Sequence, residues 1–497
     1  MSATNADDVN VILTRGLIYP TTTITFSSRT NWILQSEQGA AGAKAIVQMT
    51  ANNNNDDLFV FPSTCANIGL WELVFRPGNA GHVYRGAANE TAAISINNAN
   101  NCWMLDCEMD GEMATTGSNA FLAGVTWVDG GDGFCCINFT DGPLSNKMYT
   151  QDQVLAGAHH VDFVFLGVKT FPPNDEHMIR CIADANNTPA GMGLSLGWCE
   201  GDFVWSNLAG QGDFKGWRFQ NLNYTSLWQC AGPGGIEHGY DGAACRNMLV
   251  DSCSFFSPTN THVSQGIEQP GDRPSAGSVF GAAAVWSSNV LWRNNVIYRQ
   301  SNAGNNHFMD RANNAEVWED GSNANNWSLF NCGFVFATAS SYGNRCFWLN
   351  RVPGGSPAIP RLGDWHFANC YIALPTNWSS TTQAVIQTSN YLVDITGYSN
   401  NVSPTSDRYP DWADDDSAGA SITFTNWVSA LTSNASGNIQ ESLDPETLLA
   451  NGWLPGTNTQ AYTNGVPLNG VHHDYRGVDR EYNTNQWAVG PIGKESA

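Results

Sequence analysis

One short phrase of apolar and polar positions returns along the chain. An Asn or Asp leads, large apolar positions alternate behind it, a polar residue follows at the fifth position, and Cys, Asn or Leu stands at the sixth before a second apolar alternation. The copies run Asn67–Phe75, Asn101–Met109, Asn247–Phe255, Asn289–Ile297, Asn326–Phe334 and Asp364–Ile372, with a weaker one at Gly216–Tyr224. Period-two alternation predicts a strand with one face inward in every copy. The sixth positions are Leu73, Cys107, Leu222, Cys253, Asn295, Cys332 and Cys370. In a solenoid equivalent residues stack at a strand spacing of ~4.8 Å, so these residues predict one interior column. Cysteine suits it as a compact apolar filler, and a buried Asn can bond to the backbone of its neighbours.

The copies are spaced 34 residues from Asn67 to Asn101, 37 from Asn289 to Asn326 and 38 from Asn326 to Asp364. A bare coil needs fewer, so each coil carries inserted loop, the usual binding surface of a repeat protein. The predicted fold is all-β: a single-stranded right-handed parallel β-helix with long loops. Sandwiches and jelly rolls alternate hairpins with tight turns and do not repeat one phrase. The division read from the sequence is an N-terminal cap with the first coils over 1–60, the β-helix over 61–400, and an irregular closing region over 401–497. In the last, Asp444 followed by Pro445 predicts a capped short helix.

Composition agrees with a β-solenoid: only 13% of residues are charged, and polarity comes from Asn, Ser, Thr and Gly. Forty-five acidic residues against 22 basic give a net charge of -23, which excludes nucleic acid and anionic membranes as partners. Polyanionic substrates would be repelled unless Ca2+ or local Arg residues intervened. No apolar run reaches the ~20 residues that span a bilayer, so no membrane insertion is expected. The start, MSATNADDVNVILTRG, has no signal-peptide pattern, so the expectation is folding in the cytoplasm followed by a virion or extracellular location. The 13 cysteines are odd in number and read as buried reduced thiols.

The repeated phrase with its Asn/Cys column resembles the right-handed β-helix proteins related to pectate lyases and the parallel-β-helix repeat proteins. The end of the chain adds to this: Leu443-Asp444-Pro445, Gly452-Trp453-Leu454-Pro455-Gly456, Asp474-Tyr475-Arg476-Gly477-Val478-Asp479-Arg480 and Val489-Gly490-Pro491-Ile492-Gly493 follow the order of a closing segment found in bacterial and phage members. Ala488-Val489-Gly490 lacks the acidic residue of that segment's ending. The resemblance implies two functions. One is a virion or surface structural protein, tailspike-, fibre- or decoration-like, that binds a host or environmental glycan or other virion proteins. The other is a secreted polysaccharide lyase or glycoside hydrolase. Tailspike likeness implies a homotrimer, for which the chain shows no coiled-coil heptads.

Lyases of this class use basic residues, and Lys and Arg do not cluster in the repeat; hydrolases use paired carboxylates. The segment Gly232-Pro233-Gly234-Gly235-Ile236-Glu237-His238-Gly239-Tyr240-Asp241-Gly242 offers the acid and base candidates Glu237, His238 and Asp241, with a solvated turn as the competing reading. Asp129-Gly130-Gly131-Asp132-Gly133 resembles a calcium-friendly turn without the further spaced acids of a full site, so no metal ligands are assigned. The adjacent pair His472-His473 does not read as a metal site. Trp103, Trp217, Trp292, Trp327 and Trp365 lie in the repeat and read as packing. Trp198, Trp205, Trp228 and Trp286 lie between phrases and read as sugar-stacking platforms or protein anchors.

Overall fold

A computed structural model describes residues 7–50, 57–76, 92–110, the strands and turns named below between 123 and 405, and residues 424–431, 435–480 and 487–494. They fall into two units, Met1–Asn223 and Tyr224–Ala497. Each unit is right-handed parallel β-helix, in which every coil contributes strands to up to three faces, A, B and C. In the first unit face A runs through Thr30–Ser36, Ala66–Trp71, Trp103–Leu105, Cys135–Ile137, His160–Leu166 and Gly191–Gly197. In the second it runs through Leu222–Trp228, Arg246–Asp251, Ser288–Arg293, Trp327–Phe330, Trp365–Ala368 and Ile395–Ser399. All named strand pairs are parallel; Val290, Trp327, Trp365 and Ile395 stand in one register, as do Trp292, Leu329 and Phe367. Trp292, Trp327 and Trp365 are buried, as the phrase predicts, with the last two rings 4.9 Å apart.

The face A phrase is bounded by two residues in the left-handed region. Lead and fifth positions pair as Asn67 (φ 56) with Glu72 (51), Asn101 (54) with Asp106 (52), Asn247 (52) with Ser252 (55), and Asn289 (55) with Asn294 (56). That conformation costs an L-residue roughly 1–2 kcal/mol, least for Gly, Asn and Asp, whose short side chains bond locally. The side chains repay part of it by stacking. Asn67 Nδ2 donates to Asn31 Oδ1 at 2.7 Å, Asn138 Nδ2 to Asp106 Oδ1 at 3.0 Å, and Asn289 Nδ2 to Asn247 Oδ1 at 3.1 Å. Glycine takes the position where such a side chain needs the room: a Cβ on Gly193 (φ +72) would sit 2.5 Å from Asp162 Oδ1.

The fifth-position turn also explains the sixth-position column. Backbone pairing continues on both sides of the turn: Asn294 N donates to Phe330 O at 3.0 Å and Val296 N to Cys253 O at 3.0 Å. The sixth-position N–H goes to a side chain of the following coil instead. Cys253 N donates to Asn295 Oδ1 and Cys370 N to Asn401 Oδ1, each at 2.8 Å; Cys230 N donates to Cys253 Sγ at 3.4 Å and Cys332 N to Cys370 Sγ at 3.5 Å. The same side chains donate to the third-position carbonyl of the preceding coil: Asn295 Nδ2 to Val250 O at 2.8 Å, Asn401 Nδ2 to Phe367 O at 3.0 Å, Cys370 Sγ to Leu329 O at 3.2 Å. Cysteine is therefore more than filler here. It is a small group that both donates and accepts. Burial pushes the Cys107 thiol up to about 12 and those of Cys253 and Cys332 well above their ordinary value, so each keeps its proton. The described cysteines form no disulfide.

One copy of the phrase needs correction. Trp217–Gln220 is a face C strand, and Leu222 opens the face A strand Leu222–Trp228. The copy in that coil runs Tyr224–Cys230, with buried Cys230 at the sixth position. Its lead is Tyr where the other phrases carry Asn, Asp or Gly, which moved the reading to Asn221-Leu222.

The C-terminal segment first extends face B, Ile439–Gln440 pairing with Val402–Ser403. Pro445–Ala450 is then helical, capped by Asp444, whose side chain accepts from Thr447 N at 3.0 Å. From there the chain runs back along unit 2 as a strap. Leu443, Leu448, Trp453, Ala461, Val489 and Ile492 pack on Val296, Val335, Tyr371, Ala373 and Val402. This is why Gly333–Phe336 is buried at every residue, whereas Ala45–Met49 and Leu73–Arg76 of unit 1 alternate. Tyr371 OH donates to Trp453 O at 2.9 Å, and Val466 N to Asn369 Oδ1 at 3.3 Å. Further along, Arg293 Nη1 donates to Gly470 O, His473 Nε2 lies 3.1 Å from both oxygens of Asp251, and Ser252 Oγ donates to Asp474 O at 3.4 Å. The Asp474 carboxylate ties the strap to itself, accepting from Arg476 N at 2.9 Å, Val478 N at 3.1 Å and Gly493 N at 3.2 Å. Buried Arg480 lies over Trp487 at 4.9 Å and donates to Gly490 O at 3.1 Å. Burial lowers its guanidinium to about 10, so it stays charged at neutral pH.

Two predictions follow from these contacts. Asn295→Ala strands a buried N–H and a buried carbonyl and is expected to cost about 2–4 kcal/mol, while Asn295→Cys, which keeps a donor and an acceptor, loses much less. Urea midpoints of the two variants decide between hydrogen bonding and simple volume; equal losses would favour volume. The second concerns Asp251. Burial pushes its carboxyl up, but hydrogen bonds from His473 and Arg293 and the charge of Arg293 outweigh that and hold it below the ordinary carboxylate value. A lowered carboxylate contributes stability that is complete above its unfolded value and fades as pH falls through the folded one. Asp251→Asn is therefore expected to cost about 3 kcal/mol at pH 7. The gap from the parent protein should narrow only below about pH 4. Denaturant melts from pH 7 to pH 3 measure it, and a constant gap would refute the ion pair as its source.

Candidate functional site

In unit 2 the strand Leu222–Trp228 is the face A strand whose outward side carries large aromatic residues in the open. Thr225 and Leu227 are buried at 1% and 0%, so alternation turns Tyr224, Ser226 and Trp228 outward. Tyr224 is 57% exposed and Trp228 41%. Four strand rises of ~3.3 Å put them about 13 Å apart, the reach of a short oligosaccharide rather than one ring.

The column through Trp228 continues into charge. Gln229 N donates to Asp251 O at 3.0 Å, as Ser252 N does to Arg293 O, which sets Trp228 level with Asp251 and Asp251 level with Arg293. Asp251 is 2% exposed, and its carboxylate is shared among Arg293 (Nε at 2.8 Å, Nη2 at 2.7 Å), His473 and Asn294 Nδ2 at 3.3 Å. The strap reaches the coil of Trp228, where a Cβ on Gly477 would lie 3.0 Å from Gln229 Nε2. Its next residue, Val478, is 53% exposed. The aromatic strand thus lies beside a carboxylate already neutralised by its partners.

In unit 1, Trp198 occupies the fifth position of its phrase, with φ 50 and 46% exposure. Trp205, Trp286 and Asp241 lie outside the described residues. Glu237 and His238 form part of the face C strand Ile236–His238. Register pairs Glu237 with Glu268, Glu268 with Asp310, Asp310 with Trp348, and Trp348 with Gln387. Three acidic positions therefore occur at one level of three successive coils, and Glu237 is the one of them put forward from the sequence as a catalytic candidate. Tyr224 and Asp251 were not put forward as site residues, and His473 was weighed only with His472 as a metal pair. Tyr224 was hidden by the misplaced phrase, while the meeting of Asp251 with His473, 222 residues away, has no local signal. Among the described residues no group of three or more His, Cys, Asp or Glu could hold a metal ion.

No family model matches the chain, and no curated protein matches it. Among solved structures it is similar to a mannuronic-acid-specific polysaccharide family 6 lyase from human gut microbiota, at 12% identity and a TM-score of 0.45, over 90% of this chain and 88% of that one. It is similar to the A-module of a mannuronan C-5 epimerase of Azotobacter vinelandii, at 10% identity and a TM-score of 0.40, over 87% and 91%. A third is the tailspike protein of E. coli bacteriophage HK620 in complex with a hexasaccharide, at 11% identity and a TM-score of 0.34, over 78% and 73%. At these identities and TM-scores the likenesses carry nothing further; by its own stacked parallel sheets the chain is a parallel β-helix protein.

Proposed function

We propose that this protein binds carbohydrate through face A and presents it as a virion or surface β-helix of the tailspike, fibre or decoration kind. The observation that carries the reading is the exposed aromatic pair Tyr224 and Trp228 on one strand, bordered by uncharged Ser226 and by the amide ladder of Asn247 and Asn289. Aromatic rings cover the apolar faces of sugars, while amides and hydroxyls exchange hydrogen bonds with sugar hydroxyls. Trp198 extends the reading to unit 1. Its partners are then a host or environmental glycan, other particle proteins and further copies of this chain. A net charge of -23 leaves little attraction for polyanions.

A second reading, a glycoside hydrolase or polysaccharide lyase, is favoured by the register column of Glu237, Glu268 and Asp310. Glycoside hydrolysis uses two carboxyl groups in different protonation states. A calcium requirement belongs to this reading and is tested with a chelator.

A glycan panel separates the two. The binding reading expects retention of a glycan without release of reducing ends or of unsaturated products absorbing in the ultraviolet. It also expects Trp228→Ala to weaken binding about tenfold, the loss of ~1.4 kcal/mol. Turnover abolished by Glu237→Gln or Glu268→Gln would replace it with the enzymatic reading. Absence of retention on the whole panel, with Trp228→Ala indistinguishable from the parent, would remove the carbohydrate reading.

A further inference from the structure

The phrase of face A spends backbone energy at its lead and fifth positions, and their occupants keep that expense low. In unit 2 the described left-handed corner residues are Tyr224, Gln229, Asn247, Ser252, Asn289, Asn294, Asn331, Asn369 and Asn400, and the one aromatic among them is Tyr224, at φ 58. A bulky side chain in this region is an outlier, and strain of this kind concentrates at functional sites. Burial does not compensate for it. Trp453 of the strap also has φ 74, but it is 6% exposed and packs in the core beneath the strap, whereas Tyr224 is 57% exposed. Nor does Tyr224 take a rung in the amide ladder that Asn289 and Asn247 form. Asn at this position would cost less backbone energy and offer a ladder group.

We infer that Tyr224 is a specificity-determining contact for the carbohydrate, held at a strained corner so that its ring and the Trp228 ring receive two separate sugars of one neutral chain lying along the strand. The inference rests on the carbohydrate reading of face A and adds the residue, the direction of the chain and its charge class. Direction follows from the two aromatics sharing a strand about 13 Å apart, four rises of ~3.3 Å, with Ser226 alone between them on the outward side. Neutrality follows from charge. Arg293, two strands from Trp228, already has Nε and Nη2 on Asp251 and Nη1 on Gly470 O, Arg476 of the strap has Nε and Nη2 on Asp474, and the whole chain carries -23. A uronate would find little attraction there, since the guanidinium groups of Arg293 and Arg476 are already paired.

The test uses the full chain and four variants: Tyr224→Asn, Tyr224→Phe, Trp228→Ala and the Tyr224→Asn/Trp228→Ala double. Thermal melts are recorded, with titration calorimetry against cellohexaose, laminarihexaose and maltohexaose and a hexagalacturonate as the anionic probe. Tyr224→Asn is expected to melt above the parent, because the corner strain is relieved, and to bind the preferred neutral hexasaccharide at least tenfold more weakly. Tyr224→Phe should keep most of the affinity, and the hexagalacturonate should bind less tightly than the neutral chains. Binding lost in Trp228→Ala but unchanged in Tyr224→Asn would overturn the role of Tyr224 and leave the carbohydrate reading of face A standing. Binding unchanged in all four variants, or absent from the parent for every probe, would overturn both. A Tyr224→Asn protein that melts below the parent would overturn the strain on which the inference is built, and tightest binding of the hexagalacturonate would overturn neutrality.

Discussion

The hydrogen bond from a sixth-position N–H to the side chain stacked on it in the next coil is the interaction on which this solenoid depends. A parallel sheet pairs every backbone group between neighbouring strands, but a sharp corner between two sheets breaks the pattern for one N–H and one carbonyl. An orphan pair of this kind costs about 1–3 kcal/mol for each buried group. It recurs at each coil, so it has to be solved by the repeat itself. A side chain with a donor and an acceptor at short reach does so, and Asn295, Asn401, Cys253, Cys332 and Cys370 are versions of the same answer. Even in the coils where Leu73 or Val168 fills the column, the next coil's cysteine caps the corner: Cys107 Sγ donates to Leu70 O and Cys199 Sγ to Phe165 O, each at 3.5 Å.

The corner has a second consequence, on the outside of the coil. Fifth-position side chains project where the chain changes direction. In unit 1 Glu72, Asp106 and Asn138 remain accessible there, whereas in unit 2 Ser252, Asn294, Asn331 and Asn369 are sealed at 0–2% exposure. The strap makes the difference. It turns a one-sided sheet into a sheet buried on both faces, and so permits an outward apolar set on face B that would otherwise face water. The Asp251–Arg293–His473 contact gives that cover a register. An ion pair of this burial brings little net stability against an apolar replacement, but losing one partner leaves an unpaired charge, so it fixes where the strap lies.

The phrase, its alternation and the Cys/Asn column were legible in the sequence because each coil must solve the same corner with the same small set of side chains. The register of face C was not legible. Glu237 and Glu268 are 31 residues apart and Glu268 and Asp310 are 42 apart, so unequal loops erase any fixed spacing between residues that stand level. Closing segments such as Asp474–Arg480 could be recognised by resemblance, yet their contacts could not, since a strap obeys no period. The coil of Tyr224 was misplaced for a different reason. Its lead residue breaks the local rule.

That failure is informative, because a repeat read by its rule fails where something other than the rule selected the residue. Corner positions tolerate Asn, Asp and Gly on energetic grounds alone, whereas Tyr224, 57% exposed, offsets little of its strain by burial. In a fold whose interior is committed to satisfying its own backbone, the freedom to carry function lies in outward positions and in inserted loops. An outward position on a strand is the more rigid of the two. An aromatic side chain held by a sheet pays little further entropy on meeting a ligand, whereas a loop must be ordered first. The solenoid thus supplies stiffness through its corners, and a costly corner such as that of Tyr224 converts that stiffness into a contact.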